Sequence, residues 1–314
     1  MQPKLLRRSL LFTMGAIILL SACQPAGDAD LDAMPPPTLG RPVEHVLILS
    51  IDGLRPEVIS QARMPNLMAL MQEGAYTLTA QTISPSSTLP AHTSMLTGLC
   101  PAEHGVTWNK YRPNRGYADG TDLFDLAHAA DLETAMFVGK EKLRQITEPT
   151  SSDVFEYVDG GDSLILAQAL GQIREDFGVL FVHFPSGDWA GHEYGWLSDE
   201  QLETFHQADD ALHQLLTALE ESGVRSETLV IVTADHGGHR KRHSTRRAED
   251  MTIPWIITGP GVLPMQLKTA VHTTDTAATA AWALGLRLPA EWTGRPVTEA
   301  FGLPVRERPE VVCP

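Results

Sequence analysis

Basic residues are scarce in this chain. Lys and Arg number 24 against 39 Asp and Glu over 314 residues. Lys4, Arg7 and Arg8 fall in the first 23 positions, which hold no acid, so the remaining 291 residues carry 21 basic side chains against 39 acidic ones, a net of −18. A nucleic-acid-binding protein usually shows a basic footprint, so no stable nucleic-acid partner is expected. Charged residues make up only 20% against 43% hydrophobic, which excludes a disordered chain. Long apolar runs are also missing. The stretch Leu10–Ala22 has thirteen residues, too short for a bilayer span of roughly 20. Cysteines number three, and beyond Cys23 only Cys100 and Cys313 are left to pair.

What is present begins with a leader. Residues 1–23 (MQPKLLRRSLLFTMGAIILLSAC) join a basic start to an apolar stretch, the pattern of a secretory signal. Their end, Leu20-Ser21-Ala22-Cys23, resembles the bacterial lipobox. That resemblance implies a lipidated Cys23 as the mature N-terminus and as the contact with the membrane. Gln24 follows where an Asp would imply inner-membrane retention, so the expectation is an exported protein anchored in the outer membrane and facing the periplasm. Residues 24–43 are rich in Pro, Ala, Gly and Asp and read as a flexible tether. The catalytic domain is expected over 44–314. An oxidising compartment would permit a Cys100–Cys313 disulfide, with its geometry left open.

The domain reads as α/β. The apolar runs His45–Ile51, Val179–Phe184 and Leu229–Ala234 show no alternation, as suits strands buried on both faces of a parallel sheet. Ile253–Thr258 is a further strand candidate despite Pro254. Helical periodicity covers Pro65–Gly74, Asp122–Ala130, Ser163–Phe177, Asp199–Gly223 and Thr274–Leu284, with helix starts at Ser198-x-x-Gln201 and Thr274-Asp275. The alternation predicts a single-domain, doubly wound, mostly parallel sheet flanked by helices. Active residues of such sheets gather past the carboxyl ends of the strands. Asp52, Asp188 and Asp235-His236 each follow one of these runs. A buried carboxylate is costly unless it is paired or bound to metal, so three at one edge point to shared cations.

Asp52, Thr88, Asp188-x-x-x-His192, Asp235-His236 and His243 form the chemical constellation. Mixed Asp and His donors fit two divalent metal ions, zinc first and manganese second. Such a pair serves phosphoryl transfer, and a Thr hydroxyl needs a metal's help to attack. The stretches SIDGLRP (50–56), MPNLMALMQEGA (64–75), STLPAHTSMLTGLCPAEHGV (87–106), GDWAGHEYG (187–195) and ADHGG (234–238) resemble the alkaline phosphatase superfamily, and within it the type I phosphodiesterase/nucleotide pyrophosphatase group. The resemblance implies an alkaline phosphatase-like fold and hydrolysis of phosphodiester or pyrophosphate bonds in a small anionic phosphoester substrate. It implies Thr88 as nucleophile through a covalent phospho-Thr intermediate, with Ser87 as the competitor, and Asn109 as donor to a phosphoryl oxygen. It places one metal on Asp52, Thr88, Asp235 and His236, and the other on Asp188, His192 and a further His. His243, nine residues before the Thr252–Thr258 element, is the choice there, with His239 and His272 as alternatives. Pro90 fits the first turn of a helix whose N–H groups would face phosphate.

A charge count bears on the substrate. Three Asp, two divalent ions and a Thr alkoxide sum to zero, which suits a diester carrying one negative charge. A monoester dianion calls for another cation, and Lys110 and Arg112 are the local candidates. Two features depart from the family. Only six residues separate His236 from His243, where family members carry a long insertion. The loop between them and beyond holds Arg240, Lys241, Arg242, Arg246 and Arg247, a candidate cationic rim. A phosphomonoesterase or phosphonate hydrolase on the same site, or a non-catalytic lipid-anchored binding protein, are the competing readings. The sulfatase pattern C/S-x-P-x-R is not met at Cys100-Pro101-Ala102.

Overall fold

The computed structural model describes residues 42–305 and 313. The proposed leader and most of the tether therefore lie outside the described residues. Among those described, no helix is long and apolar enough to cross a membrane.

Eight strands form one sheet: β1 His45–Ile51, β2 Ala75–Gln81, β3 Thr134–Val138, β4 Val154–Tyr157, β5 Val179–Phe184, β6 Thr228–Thr233, β7 Thr252–Thr258 and β8 Met265–Gln266. Their order is β4-β3-β5-β1-β6-β7-β2-β8. β1 lies between β5 and β6, parallel to both. β7 alone runs antiparallel, against β6 on one side and β2 on the other. Every residue of β5 and β6 is buried, which is why these strands read as unbroken apolar runs. Pro254 sits inside β7 without a ladder N–H, and the β2–β7 register shifts between Thr77 and Ala80 opposite it. A proline in an interior strand is tolerated at such a bulge.

Two groups of helices cover the sheet. The helices Asp162–Glu175, Asp199–Glu221 and Pro65–Glu73 form one group, the last two packing on each other as the first two do. Thr88–Thr97, Leu123–His128 and Asp275–Ala283 pack together as the other. The start of the helix at Asp199 follows its sequence signal: Ser198 Oγ accepts from the Gln201 N–H. The reciprocal bond is displaced by one residue, since Gln201 Oε1 accepts from Leu197 N–H. The N-terminus of Pro65–Glu73 is satisfied from a distance, by Asp209, whose carboxylate accepts from the N–H groups of Asn66 and Leu67. Cys100 and Cys313 form a disulfide across 213 residues of sequence.

Candidate active site

Three parallel strands, β1, β5 and β6, end at one edge, and the residues just beyond them meet. Asp52 ends in a turn at Gly53, whose φ of +79° is unfavourable for a residue with a Cβ. A Cβ there would also press on Asp188 and Trp196. Gly53 N–H donates to Asp235 Oδ1 at 3.3 Å, so the turn after β1 also orients the carboxylate that follows β6. Asp188 lies on the short helix Ser186–Glu193 just past β5, with His192 one turn on.

Thr88 opens the helix Thr88–Thr97, all of whose residues are buried. That burial on every side leaves no amphipathic stripe, so the helix has no clear sequence period. Thr88 Oγ1 is 3.3 Å from His236 Nε2 and 3.4 Å from Lys140 Nζ. Ser87 Oγ faces Ser244 Oγ instead, at 2.7 Å, which sets it apart from the carboxylates. Of the helix's leading N–H groups, Leu89's is taken by Asn109 Oδ1 at 2.9 Å, and Pro90 has none. The expected row of N–H groups free for phosphate is thus partly used inside the protein.

The imidazoles share one arrangement. His236, His243 and His192 each donate Nδ1–H to a backbone carbonyl, of Gly237, Ser86 and Lys241 respectively, at 2.7–2.9 Å. In each ring Nε2 is then the atom turned toward the carboxylates. His236 Nε2 lies 3.4 Å from Asp52 Oδ1 and 3.2 Å from Asp235 Oδ2. His192 and His243 place Nε2 at 3.4 Å and 3.6 Å from Asp188 Oδ1. Those three carboxylate oxygens are buried and have no hydrogen-bond partner among the described residues. Nε2 atoms facing unpartnered carboxylate oxygens call for a proton or a metal cation between them. The donor set therefore fits divalent metal, and the carbonyl-held Nδ1–H is the usual support of a ligating His. Two sets of close donors, Asp52, Asp235 and His236, and Asp188, His236 and His243, have ligand atoms within 4.8 Å of one another.

The other two candidate histidines are engaged elsewhere. His239 donates Nδ1–H to Asp250 Oδ1 at 2.7 Å. His272 packs beside Asp275, whose Oδ2 accepts from its backbone N–H at 2.7 Å. The chain turns back between His239 and Arg242, which bridge to each other. This tight reversal brings the His243 ring against that of His236, stacked with centroids 3.7 Å apart. Six intervening residues are therefore enough.

Sequence reasoning missed the roles of Lys140, Lys142 and His183, while His92, beside the nucleophile loop, does order it. Lys140 Nζ stands 2.5 Å from both Asp52 Oδ2 and Asp188 Oδ2. Lys142 Nζ donates to Asn109 Oδ1 at 2.9 Å. His183, on β5, donates Nε2–H to Asp52 Oδ2 at 2.9 Å while its Nδ1 accepts from Gly139 N–H. His92 holds Thr88 O through Nδ1–H and accepts from Ser50 through Nε2. Burial pushes the Asp52 carboxyl up, but Lys140 and His183 outweigh it and hold it well below the usual range. Burial and then the Asp52 charge push Asp235 well above that range. Burial lowers the Lys140 ammonium, and the carboxylates of Asp52, Asp188 and Asp235 more than restore it. Lys142, buried and next to Lys140, is lowered to about 8.

Thr88, Asn109, Lys110, Lys140, Lys142, Asp188, His192 and His243 line a cavity of about 470 Å³, open to solvent and edged by Tyr111, Tyr157 and Trp189. Arg112 is not on this wall. Its backbone N–H donates to Gln145 Oε1. The basic loop lies at the surface, where Lys241 Nζ donates to Glu193 O and Arg246 Nε to Ser84 Oγ.

The family model described as type I phosphodiesterase / nucleotide pyrophosphatase matches residues 46–249. Human ectonucleotide pyrophosphatase/phosphodiesterase family member 1 is 26% identical over 216 residues, which is 61% of this chain and 23% of that protein. An inactive variant of murine ectonucleotide pyrophosphatase / phosphodiesterase 5 in complex with AMP superposes with a TM-score of 0.67 at 14% identity, covering 82% of this chain and 98% of that one. A mutant of the alkaline phosphatase PafA gives a TM-score of 0.71 at 13% identity, covering 84% and 100%. At these identities the structural likeness shows the alkaline phosphatase-like fold alone. The match to the human and rat relatives spans about a quarter of their length.

Proposed function

The chain belongs to the type I phosphodiesterase / nucleotide pyrophosphatase family, and we propose that it is a two-metal phosphoester hydrolase with Thr88 as its nucleophile. The observation that carries this reading is the ring of unpartnered carboxylate oxygens and imidazole Nε2 atoms around the Thr88 hydroxyl. Asp52, Asp235, His236 and Thr88 would hold one divalent cation, and Asp188, His192 and His243 the other, with zinc the best match to N and O donors. When bound, such ions supply the positive charge that activates a hydroxyl and offsets charge on the transferred group.

The residues of the chain do the rest. Thr88 Oγ1 forms a bond to phosphorus as the ester P–O bond breaks, and the leaving oxygen departs with a proton. Water from the open cavity then attacks the phospho-Thr, releasing phosphate from a monoester or a phosphomonoester from a diester and regenerating the hydroxyl. Fixing Thr88 at the start of a fully buried helix holds its oxygen on one line of attack, with His92 gripping its carbonyl. Asn109, locked by Leu89 N–H and Lys142, keeps its NH₂ as the group left to donate.

The test is metal analysis of the purified protein together with p-nitrophenyl phosphate and bis-p-nitrophenyl phosphate turnover. Thr88→Ala should abolish turnover of both, and Asp235→Asn should lower the bound metal by about one ion per chain. Protein that binds no divalent metal, or a Thr88→Ala variant with full activity, would refute the reading. We also propose that the chain is exported and anchored through lipid on Cys23. This rests on the leader sequence, and labelled fatty acid should enter the full chain and not its Cys23→Ser variant.

A further inference from the structure

Cations are few in this chain, yet five of them crowd one short loop. Arg240, Lys241, Arg242, Arg246 and Arg247 are all exposed, on either side of His243. The loop is pinned in place. Trp196 N–H donates to Arg240 O at 2.6 Å, His192 Nδ1–H to Lys241 O at 2.9 Å, and Lys241 Nζ to Glu193 O at 2.6 Å. These bonds tie it to the end of the helix Ser186–Glu193, which carries Asp188 and His192. The same region leaves two large aromatic rings in water, Trp189 at 42% exposure and Tyr194 at 48%. Trp189, His192 and His243 line the mouth of the candidate active site.

We infer that Trp189, Tyr194 and the loop 240–247 form a docking face for an anionic lipid bilayer, which turns the mouth of the site toward the membrane surface. Charge argues for it. Glu193 and Glu200 stand near Tyr194, and Glu249 pairs with Arg247. Five cations against these three acids leave the face at +2, whereas the residues from 24 onward sum to −18. An anionic surface therefore attracts this face and repels the rest of the chain, which fixes one orientation. The rings argue for it independently. Trp and Tyr settle at headgroup depth, apolar body inward and polar edge wet, with neighbouring Lys and Arg meeting lipid phosphates. A small anionic substrate would account for the cations but not for two exposed rings beside them. Chain length is compatible. The chain enters β1 at His45, and the site lies past the other end of that strand, at Asp52. Residues 24–43 can reach about 70 Å fully extended, against roughly 23 Å along β1. A lipid on Cys23 would thus still let the far end of the sheet meet the bilayer.

The test mixes the full chain with vesicles of phosphatidylcholine alone, or of equal parts phosphatidylcholine and phosphatidylglycerol, brominated on the acyl chains near the headgroup. Of the six tryptophans, Trp189 is the exposed one, so docking should quench its fluorescence on the anionic vesicles and not on phosphatidylcholine. Trp189→Phe should remove most of the quenching. Raising NaCl to about 0.5 M should release the parent, because screening then acts within a few ångströms. Joint replacement of Arg240, Lys241 and Arg242 by Gln should lower the ratio of docked to undocked chain by about 100-fold, roughly 5-fold for each cation. No quenching on anionic vesicles, equal quenching on both kinds, or quenching that survives the triple variant and salt would overturn the docking face. Flotation with phosphatidylcholine vesicles reports the proposed lipid anchor separately. A chain that floats there but is not quenched on anionic vesicles keeps the anchor and refutes the face. One that fails to float there but is quenched on anionic vesicles does the reverse.

Discussion

Replacing His183 tests whether the first proposed metal site is held in shape from behind. His183 is fully buried and kept neutral by that burial, so it can donate only one proton, and its partners fix where that proton is. Nδ1 accepts from Gly139 N–H, which leaves Nε2–H for Asp52 Oδ2. His183→Leu removes a donor to an ionised carboxylate and also strands a buried backbone N–H. The first loss is worth about 1.5–3 kcal/mol, and the second about 1–3 kcal/mol, mostly as stability. Expressed at the metal, the first corresponds to roughly 10- to 100-fold in affinity, the range typical for outer hydrogen bonds to metal ligands. Titration against a chromophoric chelator should show that weakening at one of the two proposed ions, because among the described residues His183 hydrogen-bonds to Asp52 and to none of Asp188, His192 and His243. His183→Gln, whose amide can still donate to Asp52, should recover part of it. If His183→Leu binds both ions within about 3-fold of the parent, well under that range, the carboxylate is positioned by something else and the argument fails.

Three further outcomes follow from particular groups. Burial depresses His104 to about 4 against an ordinary 6.5, so it is neutral in the folded chain and takes up a proton on unfolding. Stability should then fall as pH drops from 6.5 towards 4, by about 3 kcal/mol from this group. The urea midpoint of His104→Gln should vary less than the parent's over that window, and equal slopes would count against it. The Cys100–Cys313 disulfide closes 213 residues, which in the loop-entropy account stabilises by at most about 5 kcal/mol. Reduction and Cys313→Ser should lower the urea midpoint alike, and coincident midpoints would show that the link contributes nothing. Neutralising Arg240, Lys241, Arg242, Arg246 and Arg247 together should raise KM and flatten its salt dependence. An unaltered salt profile would restrict electrostatic attraction to Lys110, Lys140 and Lys142.

The central strands could be read because they are buried on both faces and their length exceeds noise. β1, β5 and β6 stood out as apolar runs, and applying the strand-end rule to them reached Asp52, Asp188 and Asp235. β3 has five residues and β4 four, with the latter only half-buried. Neither looks unlike a helix fragment or a loop. Lys140 and Lys142 follow β3, so missing that strand meant missing them. The same rule applied to Thr134–Val138 would have pointed to Lys140. His183 was hidden differently. It sits inside an apolar strand, where a histidine usually just fills space, and only the register against β1 and β3 shows what its two nitrogens touch. Asn109 and Thr88 could be placed by resemblance, but not the bond through Leu89 that joins them.

Each cluster joins sequence neighbours, Asp235-His236 or Asp188 and His192, to groups far away along the chain. Thr88 and His236 are 148 residues apart, and Ser86, which steadies His243, is 157 from it. Loops of that size close only after the central strands have paired. Before then the chain holds only part of each proposed donor set together. On the two-metal reading, selection of the ion would be deferred to the finished sheet, and the compartment that completes folding would decide which metal the protein meets.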